Sequence, residues 1–179
     1  MERPLWVFGY GSLIWNPGFV FADRQRATLS GWRRSFCMHS VQYRGTPEAP
    51  GLVLALDAED RACCNGVAYR IGDDLAEPTL AYLRERELIS SAYDEAWLPV
   101  RLEEGREVTA MTFVINHAHE QYAGPLSLDD QAQVIARSEG IRGPNADYLY
   151  ATAAHLAELG ISDADLDALT LRVRQCRGE

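Results

Sequence analysis

The chain has 179 residues, 47% hydrophobic and 24% charged, the balance of a globular protein large enough to bury a core without staples. Its formal net charge of −9 repels a phosphate backbone and argues against nucleic acid as a partner. No run reaches the roughly 18 apolar residues needed to cross a membrane as a helix.

Cys37, Cys63, Cys64 and Cys176 make no CxxC pair and no zinc-knuckle spacing, so free thiols in a reducing compartment are expected. The first residues, MERPLWVFGYGSLIW, lack the basic start and long apolar run of a signal peptide, and the expected location is the cytoplasm.

In chain order, Leu5-Trp6-Val7-Phe8 reads as a short buried strand stopped by glycine. Residues 27–40 alternate weakly with a period of two. The runs 51–56 and 66–71 are β-rich and bounded by turn residues. A helix is predicted over about 75–88. Residues 97–102 alternate as a strand, with Pro99 pointing to an edge position, and 111–115 reads as a central strand. The last third is helical. Ser127 and Ser162 each precede a helical run with an aspartate three residues on, as serine N-caps do, and a helix over 144–159 stops at Gly160. No repeat, low-complexity tract or linker divides residues 1–179, which are expected to form a single domain. Strands precede helices, so the expected fold is α+β: a small mixed or mostly antiparallel, barrel-like sheet with helices packed around it.

Chemistry is concentrated in two places. Gly9-Tyr10-Gly11-Ser12 follows the first strand, where a glycine turn can aim successive N–H groups at an anion. A tight turn with glycines chosen for positive φ is the other reading. Position 14 is Ile and no Lys-Ser/Thr pair follows, so neither a dinucleotide fingerprint nor a P-loop is present. In the predicted helix, Ala76, Leu80, Leu83 and Glu87 share one stripe. Glu87 therefore points where the leucines point, Glu85 faces solvent and Glu77 lies near the stripe's edge. An inward carboxylate must be paired, protonated or used, and desolvation suits it to general acid/base work. The plainer reading is a carboxylate that bends out at the helix end or pairs with Arg84 or Arg86.

Other candidates are weaker. His117 and His119 share one side of a strand end, but a catalytic zinc needs a third protein ligand, and no metal is expected. Ser12 lacks the GxSxG context of a nucleophile and is read as a ligand-binding residue. Tyr148 offers a hydroxyl from a helix, against the ordinary reading of a core tyrosine.

VFGYGSLIW over 7–15 resembles the opening motif of the ChaC family of γ-glutamylcyclotransferases. The likeness continues through YRGTPEAPG (43–51), GVAYRI (66–71), YLREREL (82–88), GPL (124–126) and GPNADYL (143–149). The resemblance implies a barrel-like α+β fold, no cofactor, and glutathione as the substrate, cleaved to 5-oxoproline and cysteinylglycine. It places the γ-glutamyl end on Tyr10, Gly11, Ser12 and Leu13 and the family's Arg-Glu motif on Arg86-Glu87, the same glutamate that the helical stripe selects. Arg44 and Tyr93 are candidates for the cysteinylglycine half, and Tyr148 for a further substrate contact. The chain departs from the family pattern at Tyr43, Leu52, Ser90-Ser91-Ala92 and Pro144. The alternatives are a cyclotransferase for other γ-glutamyl amino acids or γ-glutamylamines, and a non-catalytic module that binds a small acid. Oligomeric state is not legible.

Overall fold

Five strands close into a barrel in the computed structural model, which describes residues 4–179. They are β1 (Trp6–Gly9), β2 (Asp23–Ser40), β3 (Gly51–Arg70), β4 (Tyr93–Leu102) and β5 (Glu107–Ile115), in the order β1-β3-β2-β4-β5. β1 runs antiparallel to β3 (Trp6↔Arg70) and parallel to β5 (Val7↔Met111). The β1–β5 pairing closes the sheet, and β5 also meets β3 in parallel at Leu56↔Val114. β4 and β5 pair antiparallel from Tyr93↔Ile115 to Arg101↔Glu107. The mixed, mainly antiparallel barrel expected from the sequence is therefore what forms.

The chain divides into two compact units. The first holds the residues up to Arg34 and Leu56–Asn116. Here apolar and β-branched side chains fill the barrel: Val7, Phe8, Leu29, Leu56, Tyr69, Leu102 and Met111 are all buried. β5 is buried continuously from Ala110 to Ile115, because it has strand neighbours on both sides. Thr112 is the polar member of that run, and its hydroxyl donates to the Phe8 carbonyl at 3.0 Å. Pro99 lies opposite Thr109 of β5, beyond the pairs Ala27↔Leu102 and Thr28↔Arg101 that join β4 to β2, an edge-like place on the β2 side. Helix α1 (Ala76–Glu87) buries Thr79 and Leu83. Pro78 falls in its first turn, where no intrahelical N–H is required.

The second unit holds Ser35–Ala55 and His117–Glu179. It contains helix α2 (Leu128–Arg137), a hairpin of β6 (Glu139–Gly140) and β7 (Gly143–Pro144), and helices α3 (Asn145–Glu158) and α4 (Ala164–Arg177). Ser127 caps α2 as expected, its Oγ accepting from the Asp130 N–H at 3.1 Å. The cap of α4 is Asp163 and not Ser162: its carboxylate accepts from the Leu166 N–H at 3.0 Å. The predicted strands 51–56 and 66–71 turn out to be one 20-residue strand, with Arg61 at φ +68 inside it.

The Asn145 side chain is fully buried and behaves as one more rung of sheet. Its Nδ2 donates to the Leu52 carbonyl at 2.8 Å, and its Oδ1 accepts from the Leu52 N–H at 2.7 Å. The Ser138 hydroxyl donates to the Pro50 carbonyl beside it at 3.1 Å.

Candidate active site

β1 ends at Gly9, and the chain turns at once into a 3-10 helix over Ser12–Ile14 with Gly11 as its N-cap. Neither Gly9 nor Gly11 has positive φ, so the left-handed-turn explanation for these glycines does not hold. Close approach explains Gly9 better: a Cβ there would stand 3.1 Å from Leu13 Cβ and 3.5 Å from the Tyr69 ring.

Three side chains of the first unit grip oxygens of this loop. Buried Arg34 donates from Nε to the Tyr10 carbonyl at 2.7 Å and also bonds the Asn65 carbonyl. The Tyr69 hydroxyl donates to the carbonyls of Leu13 (2.9 Å) and Ile14 (3.1 Å). Phe19 and Phe21 pack against its ring at centroid distances of 5.4 and 5.0 Å. Burial pushes the Tyr69 phenol above its ordinary range, although Arg24 opposes the shift, so the phenol remains a donor at neutral pH. Arg86 donates from Nη1 to the carbonyls of Asn16 (2.7 Å) and Pro17 (3.2 Å), and from Nη2 to Ser12 Oγ (3.2 Å). The Gly11 carbonyl accepts from Ile14 and the Ser12 carbonyl from Asn16. The N–H groups of Ser12 and Leu13 open the 3-10 turn and meet no acceptor among the described residues.

Glu87 closes α1, and 20% of its side chain is exposed. Its stripe behaves as helical geometry requires: Leu83 is buried, Ala76 and Leu80 are half-buried, and Glu77 and Glu85 are exposed. The Arg86 Nε lies 3.0 Å from Glu87 Oε1. Among the described residues Arg86 is its one cationic partner, and the remaining lone pairs of the carboxylate are open to a substrate proton. Burial raises its pKa above the ordinary 4.5, and the Arg86 cation pulls the other way. Burial is the larger effect.

Of the predicted residues, the first unit brings the loop and Glu87 together through Arg86. The side chains of Tyr10 and Leu13 are buried in packing, which leaves their backbone for any ligand. Tyr93 opens β4, half-buried, opposite Ile115. Arg44 and Tyr148 belong to the second unit. Arg44 donates to the carbonyls of Arg142 (2.7 Å) and Pro144 (3.1 Å), and its guanidinium lies 5.8 Å from the Tyr148 ring centroid. Tyr148 in turn stands edge-on to Phe36 at 5.9 Å. The His117 ring packs on Tyr122 at 4.5 Å, and His119 Nδ1 accepts from the Gln121 N–H. Among the described residues no group of three His, Cys, Asp or Glu side chains is placed to hold a metal. Sequence reasoning missed the holding roles of Arg34, Tyr69 and Arg86. Only Arg86 carried a signal, its place beside Glu87.

The family model of ChaC-like proteins matches residues 5–176. The chain belongs to the ChaC-like family. Among ChaC-like relatives, the glutathione-specific gamma-glutamylcyclotransferase of Escherichia coli (strain K12) is 38% identical over 99% of this chain and 76% of its own length. Gamma-glutamylcyclotransferase 2-3 of Arabidopsis thaliana is 34% identical over 98% of this chain and 91% of its own. The crystal structure of a gamma glutamyl cyclotransferase specific to glutathione from yeast superposes with a TM-score of 0.87 at 27% identity, covering 98% of each chain.

Proposed function

We propose that this chain is a glutathione-specific γ-glutamylcyclotransferase that degrades glutathione to 5-oxoproline and cysteinylglycine. The observation that carries the reading is Glu87: a shielded carboxylate with a raised pKa, tied through one arginine to a glycine loop that has N–H groups to spare. Membership of the ChaC-like family, with relatives of that activity across nearly the whole chain, supports it. The match over 5–176 also supports treating the chain as one γ-glutamylcyclotransferase domain.

The substrate supplies its own nucleophile. A model α-amine has a pKa of about 8 and is mostly protonated at neutral pH, so a base must free it. Glu87 removes that proton. The amine nitrogen then attacks the γ-carbonyl carbon, a C–N bond forms to close the five-membered lactam, and the carbonyl oxygen gains charge. Backbone N–H groups of Gly11 to Leu13 bind the glutamyl carboxylate, stabilise that oxygen, or divide the two tasks. The amide bond to cysteinylglycine breaks as Glu87 delivers a proton to the departing nitrogen, and the attacking nitrogen's second proton passes to the released amine, leaving a neutral lactam and an ammonium. Atoms balance without water, cofactor or covalent enzyme intermediate, because the folded substrate reacts intramolecularly.

Tyr10, Gly11, Ser12 and Leu13 hold the γ-glutamyl end in this proposal. Tyr93, in the same unit, is proposed as a further substrate contact. The proposed compartment is the reducing cytoplasm, which suits free thiols at Cys37, Cys63, Cys64 and Cys176. The test follows 5-oxoproline and cysteinylglycine together, with glutathione and a panel of γ-glutamyl amino acids and γ-glutamylamines as substrates. Equimolar products from glutathione, and a loss of at least about 100-fold in kcat for Glu87→Gln with binding of a γ-glutamyl analogue retained, are expected. Turnover by Glu87→Gln near the parent rate would remove Glu87 as the base. Turnover of another panel member in preference to glutathione would reassign the substrate.

A further inference from the structure

We propose that Arg86 is a positioning residue of the cyclisation, its guanidinium holding the glycine loop and the Glu87 carboxylate in one fixed relation. This rests on the cyclotransferase reading above. All three of its nitrogens are engaged. Nε faces Glu87 Oε1 at 3.0 Å; Nη1 donates to the Asn16 and Pro17 carbonyls and to the Tyr82 hydroxyl (3.2 Å); Nη2 donates to Ser12 Oγ. The contacts on one side belong to α1 and those on the other to the loop, so a single planar group spans the base and the ligand-binding turn.

The tie is braced at both ends. Tyr82 lies one helical turn before Arg86, and its hydroxyl occupies the space beside Gly18, where a Cβ would stand only 2.0 Å from it. Gly18 also has φ +74, which a side chain at that position would disfavour. From the first unit's barrel, Tyr69 and Arg34 hold other carbonyls of the same loop but touch no part of Glu87. Arg86 alone among these three joins loop to acid. The cation also favours the ionised, base-competent carboxylate against the burial that opposes it.

Lysine cannot replace this group. An ammonium presents its donors from one point, whereas the guanidinium presents five N–H bonds in a rigid fork. An intramolecular attack tolerates little misplacement, and a shift of about 1 Å in the machinery costs on the order of 100-fold.

The experiment compares parent, Arg86→Lys and Arg86→Ala in steady-state 5-oxoproline release and in amide hydrogen exchange across peptides spanning 10–20, with unfolding curves to check that each variant folds. If Arg86→Ala does not fold, Arg86→Lys keeps the length and charge and serves alone. The expected result is a kcat reduced by about 100-fold, a raised KM, faster exchange at the Ile14 and Asn16 amides with β5 unaffected, and partial recovery of Arg86→Ala by millimolar guanidinium. A merely structural role would lower the folded fraction without raising KM and without recovery by guanidinium. Parent-like kcat, KM and exchange in Arg86→Lys would overturn the proposal. If the parent released no 5-oxoproline from any panel substrate, the cyclotransferase reading would fall, and with it Arg86's part in the cyclisation. The exchange data would then decide separately whether Arg86 holds the loop.

Discussion

Glu87 combines two opposed influences, burial that favours its neutral form and an arginine that favours its charged one. Because burial wins, the folded-state pKa lies above the unfolded one, and the folded protein binds a proton that the unfolded chain has released between the two values. That contribution to stability is complete below the ordinary carboxylate pKa of 4.5 and is lost as pH rises through the raised value. Glu87→Gln removes a carboxylate that is costly to keep ionised. Its melting temperature should exceed the parent's at pH 7 to 8, and the advantage should shrink as pH falls through the raised value and be gone by about the ordinary 4.5, as thermal melts across that range would show. A variant at neutral pH no more stable than the parent would mean that the carboxylate is fully solvated. The same shift places the acidic limb of the kcat/KM profile above the usual glutamate range. Helical phase aimed this residue inward, because Leu83 and Glu87 are one turn apart whatever the fold does, while its role came from the resemblance to the ChaC family. The side chain that pairs with it was only one of two arginines until the backbone was in place.

Among the elements, the register of the long strands was the least legible. Residues 57–62 of β3 are largely exposed and polar, so the apolar pattern lapses while the backbone continues as one strand. Sequence reading follows side chains, and there the side chains face water. β2 likewise begins at Asp23 and β5 at Glu107, earlier than their apolar runs suggest. Asn145 was visible only as a departure-flanked motif residue, yet its amide satisfies both backbone groups of Leu52 at the entry to β3. Asn145→Ala leaves a buried donor and a buried acceptor without partners, and should cost about 3 kcal/mol in urea unfolding with an unchanged m value. A loss below about 0.5 kcal/mol would show that neighbouring groups or water take over the two bonds.

At the scale of the whole molecule, barrel closure decides which core positions are unforgiving. Leu56 is fully buried where β3 meets β5 in parallel, and strands held on both sides cannot collapse into a void. Leu56→Ala should therefore fall in the upper part of the roughly 2–5 kcal/mol range for buried leucines, measurable by denaturant midpoint, while a small loss would imply that the barrel adjusts. Local chemistry was readable from the residues: the glycine turn after an apolar strand and the serine cap at Ser127 follow from turn and capping chemistry, and the phase of Glu87 and the α+β order of elements from periods of two and 3.6 residues. What tertiary structure alone decided is which distant groups serve the loop. Arg34 reaches Tyr10 across 24 positions and Arg86 reaches Ser12 across 74. Periodicity tells a side chain which way to face, but strand pairing and closure choose what it meets there, and no local pattern encodes that choice.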